Sequence, residues 1–104
     1  MERFLIVYRG APAGEGEGAV HHPEGWSAWF DRLGAALIDR GSLTQASVEV
    51  PSRLIGPKLS GSSLSGYSIV EAADFDEIVR LAQACPIFDE RGSVEIARLV
   101  DRPA

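Results

Sequence analysis

The chain contains a single cysteine, Cys85, and it lacks both a long apolar segment and a run of basic residues. One cysteine cannot form an intramolecular disulfide, and the apolar run at residues 4–8 is too short for a membrane span or the core of a signal peptide. With 15 acidic against 10 basic side chains the net charge is −5, which should repel nucleic acid and anionic membranes. We therefore expect a cytoplasmic protein without a nucleic-acid or membrane partner.

The rest of the composition is that of an ordinary globular protein. The chain has 104 residues, of which 45% are hydrophobic and 24% are charged. A chain of this length builds one hydrophobic core and has too few residues for a second. The sequence therefore predicts a single domain over residues 1–104.

The first part of the chain predicts a strand, a loop and a helix. Residues 4–8 are rich in strand formers, and their unbroken apolar character is typical of a strand buried on both faces. The glycine-rich segment that follows is predicted to be a loop, and Pro23 with Glu24 favours a helix start. Gly41 is predicted to end that helix. Its apolar stripe would consist of Trp26, Trp29, Phe30, Leu33 and Leu37.

The middle of the chain predicts two further strands. Val48 and Val50 alternate with polar residues, so a half-exposed strand is expected within residues 43–54. Residues 56–65 are rich in glycine and serine and are predicted to be a connection. Residues 67–72 then predict the third strand.

The last part of the chain predicts a helix and a final strand. Asp74 and Glu77 have the spacing of a capping box, which marks a helix start. The helix would end before Pro86, and residues 94–100 would form the last strand. The buried face of this helix is predicted to contain Ile78, Leu81, Ala82 and Cys85.

The predicted element order is β-α-β-β-α-β, which is the ferredoxin-like α+β plan. In that plan a four-stranded antiparallel sheet carries two helices on one face. The other face stays bare, and apolar side chains of both parities in residues 4–8 would make it costly to expose to water. A second copy of the chain is the simplest cover, so we expect a homodimer.

Several short motifs resemble the YCII-related family, in particular its branch with an Asp-Gly-Pro-Phe (DGPF) motif. The resemblance is carried by residues 64–100, in which the family positions are occupied by Ser65, Gly66, Tyr67, Asp74, Cys85, Pro86, Val94, Glu95 and Ile96. The opening strand and the tryptophan-bearing first helix are also similar. The resemblance implies a ferredoxin-like unit within a dimeric α/β barrel. Relatives in that superfamily include enzymes that act on lactones and small aromatic compounds, which implies lyase or isomerase chemistry.

The sequence departs from the family at positions that matter for chemistry. The DGPF motif is reduced to the Gly56–Pro57 pair, between Ile55 and Lys58, without its Asp or Phe. The catalytic pair of the YCII branch is a His in the first helix and an Asp before a proline after the second. Residues 27–30 contain no His, and Cys85 occupies the Asp position. The sequence therefore leaves open whether the protein is an enzyme.

The candidate binding residues are His21, His22, Trp26, Tyr67 and Arg98. The two histidines precede a helix start, where an imidazole can transfer protons and an anion can be held. An exposed junction is the plainer interpretation, and no partner at a usual ligand spacing indicates a metal. We predict no cofactor. Trp26 is better explained as part of the core and the dimer interface, and Arg98 is explained equally well by a surface ion pair.

Two functions follow from these residues. The first is a small-molecule binding protein or a minor enzyme, with a cleft between the sheet, the first helix and the loop of residues 10–22. The second is a non-catalytic dimeric interaction or regulatory module, which the missing His–Asp pair favours. Cys85 is predicted to be a packed, inert thiol in either case.

Overall fold

The computed structural model describes residues 1–10, 22–44, 47–59 and 63–100, with only the backbone described for Leu59 and Ser63. Its elements are β1 (Glu2–Gly10), α1 (Pro23–Leu33), β2 (Leu37–Leu43), β3 (Val48–Glu49), β4 (Lys58–Leu59), β5 (Ser63–Ala72), α2 (Phe75–Ala82) and β6 (Ser93–Arg98). Short 3₁₀ turns lie at Gly34–Ala36 and Pro86–Glu90. Among the described residues, no helix combines the length and apolar character needed to cross a membrane.

Four strands form one antiparallel sheet in the order β2-β5-β1-β6. Both helices pack on the same face of this sheet, because their buried side chains join one cluster with Phe4, Ile6 and Tyr8 of β1. The fold is therefore α+β and compatible with the ferredoxin-like plan. The strands β3 and β4 pair only with each other, as a separate two-stranded ribbon.

The predicted end of the first helix was wrong. Helix α1 ends at Leu33, where Gly34 takes a positive φ of 56° and donates its backbone N–H to the Phe30 carbonyl. Only glycine adopts such a conformation without steric cost. Leu37 and Gly41 consequently belong to β2, which gains a hydrogen-bonded ladder with β5.

The second strand was predicted too late in the chain for the same reason. Residues 37–43 fill the edge of the main sheet, so Val48 and Glu49 are left to pair with Lys58 and Leu59 in the ribbon. The predicted connection at residues 56–65 therefore contains a short strand. Strand β1 was predicted to be buried on both faces, but only Phe4, Ile6 and Tyr8 are fully buried within the chain.

The predicted start and buried face of the second helix are confirmed. The Asp74 carboxylate accepts the backbone N–H of Glu77 at 2.9 Å, and the Glu77 carboxylate accepts the N–H of Ala73 at 2.9 Å. Each of these carboxylates therefore gives one backbone N–H group at the helix start a hydrogen-bond acceptor. Ile78 and Ala82 are buried, and Leu81 packs against the core cluster. The helix ends at Ala82 and not next to Pro86, so Cys85 is buried but lies after the helix, at the start of the 3₁₀ turn.

Four aromatic side chains, one from β1 and three from α1, form a cluster within the core. The Tyr8 ring meets Trp26 and Trp29 edge to face, with centroids 4.8 and 6.0 Å apart. Phe30 completes the cluster, 5.9 Å from Trp26 and 5.4 Å from Trp29. Each such pair contributes about 0.5–1.5 kcal/mol beyond the burial of its apolar area.

We predict that Gly41→Ala destabilises the fold far more than Gly56→Ala. Gly41 has φ 68°, and a Cβ there would lie 1.9 Å from the Tyr67 carbonyl oxygen. The change should lower the free energy of unfolding by about 3 kcal/mol, since strain and overlap act together. At Gly56 a Cβ meets open space. Urea unfolding of both variants checks this, and equal midpoints would contradict it.

Candidate functional site

Two open grooves lie beside the helices. The first, which we call the α1–β2 groove, has a volume of about 300 Å³ and lies between α1 and β2. The second, the α2–β6 groove, has a volume of about 510 Å³ and lies between α2 and β6. Both grooves are mainly apolar and contain aromatic and polar side chains. The charged residue of the first is Arg40 and that of the second is Glu95, so the α1–β2 groove is the candidate site for a small anion.

The α1–β2 groove combines an aromatic wall with one cation. Trp26 and Phe30 are one helical turn apart and line the same wall. Across the groove, the Arg40 guanidinium carbon lies 4.7 Å from the centroid of the Phe30 ring. The hydroxyl-bearing residues Ser27 and Ser42 also line the groove. These groups can hold a flat apolar molecule that carries a negative charge.

Arg40 contacts an aromatic ring, whereas several other basic side chains form ion pairs with carboxylates. The ion pairs among the described residues join Arg9 to Glu95, Lys58 to Glu49, and Arg98 to Glu2. None of the described carboxylates pairs with Arg40, which rests on the π face of Phe30 instead. The Arg40 side chain is exposed, so its guanidinium is accessible to solvent or to a ligand.

His22 and Trp26, two of the predicted site residues, meet at Glu90. The backbone N–H of His22 donates to the Glu90 carboxylate at 3.3 Å, and the Trp26 indole N–H donates to the same oxygen at 2.8 Å. Glu90 thus links the start of α1 to the 3₁₀ turn after α2. The His22 side chain is exposed, beside the Pro23 that lines the groove.

Tyr67 and Arg98 lie away from the groove and from each other. Tyr67 is 42% exposed and projects from β5 on the sheet face opposite to the helices, since Ser68 next to it is buried. Arg98 lies on β6, at the opposite edge of the sheet from β2. Its Nε is 2.9 Å from a Glu2 carboxylate oxygen, and its guanidinium carbon is 4.7 Å from the Phe75 ring centroid.

His21 lies outside the described residues, as does most of the loop that was predicted to close the cleft. Sequence reasoning missed Arg40 because residue 40 was assigned to the first helix rather than to β2. It also missed Glu90, whose pairing with Trp26 spans 64 positions and has no local pattern. Within the described part of the chain, no three His, Cys, Asp or Glu side chains gather as a metal site.

The buried Tyr8 phenol, which packs against Trp26 of the groove wall, is held neutral. Burial raises the pKa of the Tyr8 phenol well above its usual range, although the hydrogen bond to Ser68 acts in the opposite direction. The Tyr8 hydroxyl donates to the Ser68 hydroxyl at 2.7 Å, and Ser68 donates to the Arg40 carbonyl at 2.7 Å. This chain of bonds fixes the backbone of β2 at the residue that carries the groove cation.

We predict that Cys85 does not react with dithionitrobenzoate at pH 8 until the protein unfolds. Burial raises the pKa of its thiol from 9.0 to about 12, so the nucleophilic thiolate is scarce in the folded state. The neutral form is favoured on folding, so this contribution to stability is complete below pH 9 and is lost as pH rises towards 12. Rapid labelling of the native protein would contradict the prediction; the urea-unfolded protein serves as the control.

The chain was also compared with known proteins. No protein-family model matches it, and no curated protein or solved structure matches it significantly. Its resemblance to the YCII-related family therefore stays a prediction from the sequence motifs.

Proposed function

We propose that the protein binds a small organic anion with a flat apolar body in the α1–β2 groove. The observation that carries this proposal is the placement of Arg40 over Phe30, without a carboxylate partner among the described residues. The ring of the ligand would lie against Trp26 and Phe30, and its anionic group would meet the guanidinium. A planar guanidinium matches a carboxylate with two parallel hydrogen bonds.

The size and the lining of the groove support a small ligand. Pockets for small molecules are mostly apolar with a few polar groups that fix orientation, and their volumes begin near 300 Å³. Pro23 and Leu43 extend the apolar surface, while Ser27 and Ser42 offer hydroxyl groups at its edge. The imidazole of His22 lies beside this groove. It would donate or accept a proton if the bound molecule reacts.

We also propose that the protein is a YCII-related member of the dimeric α/β barrel superfamily. The motifs within residues 64–100 support this, and the strand order of the sheet is compatible with it. Lyase or isomerase chemistry belongs to this family-level proposal. Binding is the function that the groove itself supports.

The third proposal is a homodimer, formed through the sheet face that carries no helix. Val7 and Ile69 are half-buried at the centre of this face, and Tyr67 beside them is 42% exposed. Arg9 and Glu95 form an ion pair 3.2 Å long at its rim. An apolar centre with both charge signs around it suits a self-complementary contact about a two-fold axis. This face would equally serve the non-catalytic interaction module.

The anion-binding proposal predicts a preference for acids over uncharged analogues. In an NMR titration, 1-naphthoate should shift the Trp26 indole N–H signal, and 1-naphthamide should bind about tenfold more weakly. Arg40→Ala should weaken 1-naphthoate binding by about tenfold, which corresponds to one charge-assisted hydrogen bond.

The matched control is Arg32→Ala, since Arg32 lies exposed in the last turn of α1 and does not line the groove. This variant should bind 1-naphthoate like the unmodified protein. Equal affinity for the acid and the amide would contradict the proposal, as would equal losses in the two arginine variants.

The dimer proposal predicts that Val7→Glu combined with Ile69→Glu weakens self-association at least about 100-fold, because two charges would be buried in each copy's contact. Sedimentation velocity over a concentration series measures the dissociation constant. Val100→Glu is the matched control, since Val100 is 79% exposed beyond the end of β6. An unchanged dissociation constant in the double variant would contradict the proposal.

A further inference from the structure

The indole of Trp26 lines the α1–β2 groove, and its polar end needs a partner inside the protein. Trp26 is only 2% exposed. Its ring centroid lies 5.9 Å from that of Phe30, and the two ring planes meet at 42°. The wall that a flat ligand would meet is therefore set by the orientation of this indole. A buried indole N–H without an acceptor is costly, so the position of the acceptor decides the orientation of the ring.

The acceptor is Glu90, which belongs to a distant part of the chain. One of its carboxylate oxygens accepts the Trp26 indole N–H at 2.8 Å and the backbone N–H of His22 at 3.3 Å. Both donors lie at the start of α1, so one oxygen holds the ring and also the helix that carries it. A rotation of the indole about its Cβ–Cγ bond would move the N–H away from this oxygen. Glu90 thus selects one of the ring orientations that a tryptophan side chain can adopt.

The 3₁₀ turn that carries Glu90 is anchored in the core. Ile87 within this turn is fully buried, and the backbone N–H of Gly92 donates to the Ile87 carbonyl at 2.8 Å. A Cβ added to Gly92 would lie 2.3 Å from the Arg9 carbonyl oxygen, so the chain packs closely onto β1 directly after the turn. The Glu90 carboxylate therefore extends from a backbone that its neighbours hold in place.

The second tryptophan of α1 provides an internal comparison. The Trp29 indole N–H donates to the Leu81 backbone carbonyl at 3.4 Å, and Trp29 is not among the described residues that line the groove. Its acceptor is a main-chain group of α2, which no side-chain substitution removes. Trp26 differs in both respects, because it joins the groove wall to a side-chain acceptor. A substitution of Glu90 should therefore change the environment of one indole and leave that of the other unchanged.

We infer that Glu90 is the positioning residue that makes the α1–β2 groove select an aromatic acid over a saturated acid of similar size. The inference rests on the proposed anion site and adds the class of the apolar body, which is an aromatic ring system. Arg40 would meet the acid group, and Glu90 would act through Trp26 without contacting the ligand. Aromatic rings pack on one another at preferred offsets and angles. Loss of the fixed indole orientation should therefore weaken the binding of an aromatic ligand more than that of a saturated one.

The positioning role is measured first in the protein without ligand, by NMR of the indole N–H groups. Glu90→Ala should shift the Trp26 signal and speed its exchange with solvent by about tenfold, because the hydrogen bond is lost. The Trp29 signal should not change. Glu90→Gln should restore slow exchange, since its amide oxygen still accepts N–H groups. Asp89→Ala is the matched control, because Asp89 is exposed in the same turn. A Trp26 signal that ignores Glu90→Ala, or an equal change at Trp29, would overturn the inference.

The selectivity is then measured as the ratio of the affinities for 1-naphthoate and decahydro-1-naphthoate, which share one charge and a similar size. This ratio should fall by about threefold in Glu90→Ala and stay unchanged in Glu90→Gln and Asp89→Ala. Glu90→Asp keeps the charge but withdraws the oxygen, so it should lower the ratio as well. Circular dichroism melting verifies that each variant is folded.

The Arg40→Ala variant separates this inference from the proposed site on which it rests. It should weaken the binding of both acids alike and leave their ratio unchanged. Binding that does not depend on Arg40 would contradict the proposed site, whatever the Trp26 signal shows. Binding that depends on Arg40, with an unchanged ratio in both Glu90→Ala and Glu90→Asp, would instead overturn the role of Glu90.

Discussion

The burial of Tyr8 beneath the first helix is the constraint on which the rest of this structure depends. Its ring is fully buried against Trp26 and Trp29, and its hydroxyl must then find a partner inside the protein. Ser68 supplies that partner and passes its own hydrogen bond to the Arg40 carbonyl. One aromatic residue therefore ties β1, β5, β2 and α1 together.

The same constraint positions the candidate site. Because the Arg40 carbonyl is held by Ser68, its side chain leaves β2 close to the Phe30 ring, which belongs to the aromatic cluster. Glu90 holds the Trp26 indole from the other side. Two aromatic residues of the groove wall, Trp26 and Phe30, thus belong to the core, and Arg40 is the charged group at the edge of this wall.

The misplaced second strand and the missed Arg40 have one physical origin. Leu37 continues the helical spacing of Trp26, Trp29, Phe30 and Leu33, so the apolar period alone predicts a helix that runs through it. The glycine at position 34 carried the competing signal, since its positive φ ends the helix at Leu33. That single boundary displaced the second strand and hid Arg40. It also left Val48 and Glu49, part of the strand predicted from their alternation, to pair with Lys58 and Leu59 in the separate ribbon.

The sequence by itself determined the order of the main elements, which is compatible with the ferredoxin-like plan, and the capped start of α2. It also determined the buried face of α1 as far as Leu33 and that of α2 as far as Ala82. These features depend on local propensity and on spacing, which neighbouring residues in the chain carry. Only the tertiary structure decided that Arg40 meets Phe30, that Glu90 binds Trp26, and that Tyr67 and Arg98 lie on separate surfaces. Those contacts join distant positions, and their geometry depends on sheet register and helix length, which a one-residue change of boundary alters.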